Sequence, residues 1–134
     1  MNEKINLTIE ETFASALQNH KKKKFVVAEN LYKEILKKNP NHFQSNFLLG
    51  TLSAQTKKFD IAKQLLNKAT EIDPDYIDAH NNLGNVLKEL GEHQKARSSY
   101  QKAIDIQPNY ANAHNNLGTV LQKLGEYQKA KSCY

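Results

Sequence analysis

The segment Ala79-His80-Asn81-Asn82-Leu83-Gly84 returns as Ala113-His114-Asn115-Asn116-Leu117-Gly118, 34 residues further along the chain. Around this pair, residues 77–100 and 111–134 are identical at 16 of 24 aligned positions. The same interval separates Pro40, Pro74 and Pro108, the glycines Gly50, Gly84 and Gly118, and the alanines Ala28, Ala62, Ala96 and Ala130. A fixed period of this size marks a repeat architecture, in which each unit buries its apolar face only against its neighbours. The units fall at 9–42, 43–76, 77–110 and 111–134, after a short N-terminal segment at 1–8. The unit at 9–42 is the most diverged, yet it keeps Phe25, Ala28, Tyr32 and Pro40 in phase.

Each unit reads as two helices. His80, Leu83, Gly84 and Leu87 stand at i, i+3, i+4 and i+7, one face of a first helix. Gly91 ends it, since glycine takes the left-handed cap conformation cheaply. Ala96, Tyr100 and Ala103 share a face of the second helix; Pro108 cannot continue it, and Asn109 is suited to cap the next. Thr8 and Glu11 have capping-box spacing before the first unit. Gly84 and Ala96 let the two helices approach closely, while Leu83 and Tyr100 fill the space beside them. The fourth unit stops at Tyr134, inside its expected second helix, which leaves a stacking face open for more repeats or for a second copy of the chain.

The pattern His80, Leu83, Gly84, Leu87, His93, Ala96, Tyr100, Ala103 and Pro108 resembles the tetratricopeptide repeat family, and the resemblance extends over almost the whole chain. It is closest in the third and fourth units and weakest in the first, where Ala16 replaces the glycine and Ile35 the later alanine. The resemblance implies an all-α, right-handed α-solenoid of antiparallel helix hairpins whose first helices line a concave face. On that face the helical period places Asp78, Asn81, Asn82 and Asn85 in the third unit, and Asn112, Asn115, Asn116 and Thr119 in the fourth. Side-chain amides offer donors and acceptors, so such a row can pair with the main chain of an extended peptide without reading its side chains. The repeat domains of O-linked N-acetylglucosamine transferases look similar, and Asn82 and Asn116 match their asparagine ladder. Leu48 and Ala14 stand at that position in the earlier units.

The earlier units present Phe13, Leu17, Phe47, Leu48 and Thr51 instead. These form either a pocket for an apolar anchor of the partner or a surface covered by the N-terminal segment through Ile5 and Leu7, the second being favoured. In tetratricopeptide domains that clamp chaperone C-termini, cationic residues stand at the positions of Phe13, Asp78 and Asn82; none is basic here, which argues against that type.

Composition narrows the alternatives. The 134 residues carry a formal charge of +5, largely from lysine, with Lys21 to Lys24 in a run and pairs at Lys37–Lys38 and Lys57–Lys58. Cations near helix C-termini favour the dipole and solubility. Arginine is almost absent and no aromatic platform interleaves the lysines, which argues against nucleic acid. The single cysteine, Cys133, cannot form an internal disulfide, and no apolar stretch approaches the roughly 20 residues of a membrane span. A cytoplasmic location follows as the simplest expectation. No phosphate loop, zinc signature or nucleophile motif appears, and His80 with His114 makes a poor metal pair. The expectation is a non-enzymatic scaffold for another protein or an extended peptide, without cofactor, metal or membrane. Its alternative is the N-terminal recognition arm of a larger glycosyltransferase-like chain.

Overall fold

The computed structural model describes residues 8–132, with side chains through residue 128. The segment 1–7, Ala130, Cys133 and Tyr134, all used in the sequence reading, lie outside the described residues or side chains. Among the described residues seven helices follow one another: α1 (Ile9–Lys21), α2 (Phe25–Lys38), α3 (Phe43–Gln55), α4 (Phe59–Ile72), α5 (Ile77–Glu89), α6 (His93–Ile106) and α7 (Ala111–Ser132). They form an all-α solenoid of antiparallel hairpins, α1/α2, α3/α4 and α5/α6, with α7 laid against α5 and α6.

Local chemistry sets the helix ends. Thr8 caps α1, its hydroxyl accepting from the Glu11 N–H at 3.1 Å while the Glu11 carboxylate accepts from the Thr8 N–H at 3.2 Å. All three hairpins turn the same way. Lys23 (φ 60°), Lys57 (φ 63°) and Gly91 (φ 76°) adopt the left-handed conformation at equivalent positions. The following N–H groups, of Lys24, Lys58 and Glu92, donate back to Asn19, Ser53 and Leu87 carbonyls at 2.9, 2.7 and 2.8 Å. This is the Schellman closure, which satisfies carbonyls that the helix end leaves unpaired.

Within each hairpin a small residue meets a large one. A Cβ on Gly84 would lie 2.5 Å from Cε1 of Tyr100, and one on Gly50 2.9 Å from Cγ of Leu66. Ala28, Ala62 and Ala96 are fully buried beside them. One apolar cluster joins Ala16, Ala28, Tyr32, Leu49 and Leu52; a second runs from Ala62 and Leu66 through Leu83, Val86 and Tyr100 to Val120. The core is therefore a chain of thin layers, as the repeat period requires.

Two further series bind one unit to the next. Asn46 donates to the Pro40 carbonyl at 3.0 Å, and His80 and His114, through Nε2, to those of Pro74 and Pro108 at 2.7 and 2.6 Å. The second series comes from the last residue of each unit, which folds back onto its own unit's first helix at the junction where the next unit begins. His42 packs edge-on against Phe13 (centroids 5.4 Å), Tyr76 against Phe43 and Phe47 (5.0 Å each), and the Tyr110 hydroxyl donates to Asp78 at 2.6 Å.

The fourth unit departs from expectation. Its two helices are one: α7 runs unbroken through Gly125, where the other units turn. The continuous ladder keeps the backbone paired at the propensity cost of a mid-helix glycine, about 1 kcal/mol. Tyr127 reaches the His93 ring at 6.0 Å but stays 61% exposed. A second correction concerns the start of α7, where Tyr110, not Asn109, immediately precedes the helix.

Candidate functional site

The first helices α3, α5 and α7 stand side by side, and between them opens a hollow of about 540 Å³. Helix α3 and its turn supply Thr51, Ala54, Gln55 and Lys57, and the first residue of α4 supplies Phe59; α5 supplies Asn82, Asn85, Val86, Lys88 and Glu89; α7 supplies Asn116. The floor is apolar through Ala54, Phe59 and Val86, and the walls carry amides and charge.

Hydrogen bonds across the repeats set the amides in place. Asn82 donates through Nδ2 to the Thr51 hydroxyl at 3.4 Å, and Asn116 through Nδ2 to Oδ1 of Asn81 at 3.2 Å. Each donor thus reaches one unit back. Among the described residues, that leaves the Oδ1 and a second N–H of Asn82 and Asn116 without a partner. The Asn85 Oδ1 accepts from the Tyr100 hydroxyl at 2.6 Å, and its amide N–H groups have no partner among the described residues. Burial pushes the Tyr100 phenol well above its usual range, with the Glu89 charge adding to it, and the hydroxyl stays a donor. At the N-terminal end, Gln55 accepts from His20 Nε2 at 3.0 Å, while His20 Nδ1 lies 3.0 Å from the Tyr32 hydroxyl. The buried Tyr32 phenol is pushed up to about 12.

Of the residues expected on this face, Thr51, Asn82, Asn85 and Asn116 come together in the hollow. Others are placed differently. Asn81 is only 5% exposed and sits between units as the acceptor for Asn116, because α7 packs over that side of α5. Asp78 is engaged by Tyr110, with Asn112 beside the same hydroxyl. Burial, then the Asp78 carboxylate, push the Tyr110 phenol up. Asn115 and Thr119 are exposed on α7, the Thr119 hydroxyl bonding the Asn115 carbonyl at 3.2 Å. Phe13, Leu17 and Phe47 are half-buried and lie outside the hollow. His42 and Tyr76 cover Phe13 and Phe47, so these rings brace the stack and form no open pocket.

Sequence reasoning missed Gln55, Lys57, Phe59, Lys88 and Glu89. They lie at the turn end of the helices, beyond the four-residue face that the wheel selected. Aligning the turns would have singled out Lys57, a bulky residue where the third unit has Gly91.

A family model described as TPR repeat matches residues 54–91 and 84–125. No curated protein matches the chain by sequence. Among solved structures, the first TPR of Spaghetti bound to an HSP90 peptide superposes with a TM-score of 0.83 at 20% identity, over 90% of this chain and 98% of that one. A crystal structure of MamA gives 0.84 at 28% identity, over 91% and 67%. A Thermobaculum terrenum O-GlcNAc transferase mutant gives 0.76 at 27% identity, over 90% of this chain and only 23% of the transferase.

Proposed function

The chain belongs to the TPR repeat family, and we propose that it is a non-catalytic scaffold holding an extended polypeptide in the hollow between α3, α5 and α7. The observation that carries this reading is the state of the amides. Asn82, Asn85 and Asn116 are each fixed by one hydrogen bond within the protein and keep further donors or acceptors unpaired in a groove. Unpaired amide groups at repeat spacing suit the main chain of a strand-like peptide, which offers alternating N–H and C=O groups. The peptide-bound relative supports this reading at the level of the fold.

Fluorescence anisotropy with labelled, unstructured peptides tests it. Asn82→Ala combined with Asn116→Ala is expected to weaken binding roughly tenfold, the loss of one or two net hydrogen bonds. Unchanged affinity would remove the amides from the site.

A second reading makes the chain the recognition arm of a transferase-like protein, favoured by the 27% identity to the O-GlcNAc transferase. The full reading frame of the gene decides it: a transferase domain downstream supports the arm, and its absence refutes it. Self-association along α7, where Leu121 is 43% exposed, is a separate proposal. Sedimentation over a concentration series checks it, and a monomer throughout rejects it. Among the described residues no helix is long and apolar enough to cross a membrane.

A further inference from the structure

Lysine is a poor choice for the left-handed turn position, because its Cβ crowds the backbone there. The third unit uses glycine, Gly91, at that station, whereas the first two use Lys23 and Lys57. Both lysines are exposed. Among the described residues neither has a carboxylate partner, although elsewhere Glu29 holds Lys33 and Lys58, and Glu92 holds Lys63 and Lys95. Two costs therefore coincide at these residues, backbone strain and a charge without a partner, which at Lys23 stands beside the like charges of Lys22 and Lys24. The left-handed conformation closes the turn at both residues as it does at Gly91, but glycine does so without the steric cost, so the fold itself does not require the lysine side chains. A strained side chain that the turn does not need points to a function outside the fold.

The position of these lysines suggests what they meet. Lys57 lines the hollow, opposite Lys88 on the next first helix, with Glu89 the one carboxylate among the lining residues. Lys23 stands one turn back along the same edge of the stack. We propose that this turn edge recognises acidic side chains of the polypeptide whose main chain occupies the hollow. The proposal rests on that reading of the hollow and adds a chemical class of partner to it. The charge comes from the turns, not from the ladder face. A peptide is favoured over nucleic acid because Lys57 adjoins unpaired amides, and because the nearest rings, Phe25 and Phe59, are half-buried core residues that offer no stacking platform.

The test uses two fluorescein-labelled nonapeptides, one alternating glycine with glutamate and the other alternating glycine with glutamine. The acidic peptide is expected to bind at least about tenfold tighter at low salt, with the preference shrinking as salt screens it. The double variant Lys23→Gly, Lys57→Gly should lose most of that preference while melting at a higher temperature than the parent. Reduced binding with raised stability separates recognition from a structural role. Equal affinity for both peptides overturns the inference and leaves the main-chain reading intact, whereas failure of both peptides to bind overturns the two together. Tighter binding to phosphatidylserine vesicles or to polyuridine RNA than to the acidic peptide also overturns it.

Discussion

A methyl group added to Gly84 would land on the ring of Tyr100, at 2.5 Å from Cε1, whereas one added to Gly118 meets nothing within 4 Å. The two glycines close the same six-residue segment, so any difference between them is tertiary. Gly84→Ala should destabilise the protein by about 1–3 kcal/mol, since the ring is fully buried and cannot retreat. Gly118→Ala should instead stabilise it by up to about 1 kcal/mol through helix propensity. Urea denaturation of the two variants checks this, and like-signed shifts would mean that the fourth unit packs as the third does. His80 carries a similar lesson. It reads as a large residue filling a slot, but its Nε2 holds the Pro74 carbonyl at 2.7 Å, a task that Asn46 performs for Pro40. Histidine and asparagine look unrelated along the chain because what they share is a donor at one distance.

At the scale of the element, the turn after each first helix depends on which residue can go left-handed and on what the folded-back helix gains. Gly91 (φ 76°) does so between α5 and α6, where the returning helix buries Ala96, Tyr100 and Ala103. Gly125 stands at the same station and remains helical within α7. Gly91→Ala should therefore cost about 1 kcal/mol, because alanine is strained at that φ. Gly125→Ala should raise helicity and stability by a similar amount. Far-ultraviolet circular dichroism with thermal melts measures both. A loss at Gly125 would show that the fourth hairpin closes in solution. Sequence periodicity marks a break at both stations, and the structure makes it at Gly91, where the returning helix is buried, but not at Gly125.

The molecule as a whole is a line of units coupled through their neighbours, so a local change at one junction propagates weakly. His42 joins the first two units. Its Nδ1 accepts from both the Ser45 N–H (3.2 Å) and the Ser45 hydroxyl (2.8 Å), and its ring packs on Phe13. Burial holds its pKa below the usual imidazole range, opposed in part by Glu10. Protonation would remove the acceptor that caps α3. The unfolded chain takes up that proton near pH 6.5 and the folded one only lower, so this contribution to stability is intact above about 6.5. It is then lost as pH falls through the depressed folded value. Hydrogen exchange between pH 7 and 5 should show α1 and α2 losing protection before α5 and α6, and uniform loss would reject the junction as the weak point. From the sequence alone came the 34-residue period, the helix pairs, their small-against-large packing and the amide row, because each depends on spacing within a unit or on copying between units. The tertiary structure decided which amides keep free groups, that Asn81 is used between repeats and Asp78 by the tyrosine that ends its own unit, and that lysines rather than glycine make two of the turns. It also decided that α7 does not fold back. These depend on distances between units and on competition for buried surface, which a one-dimensional period does not contain.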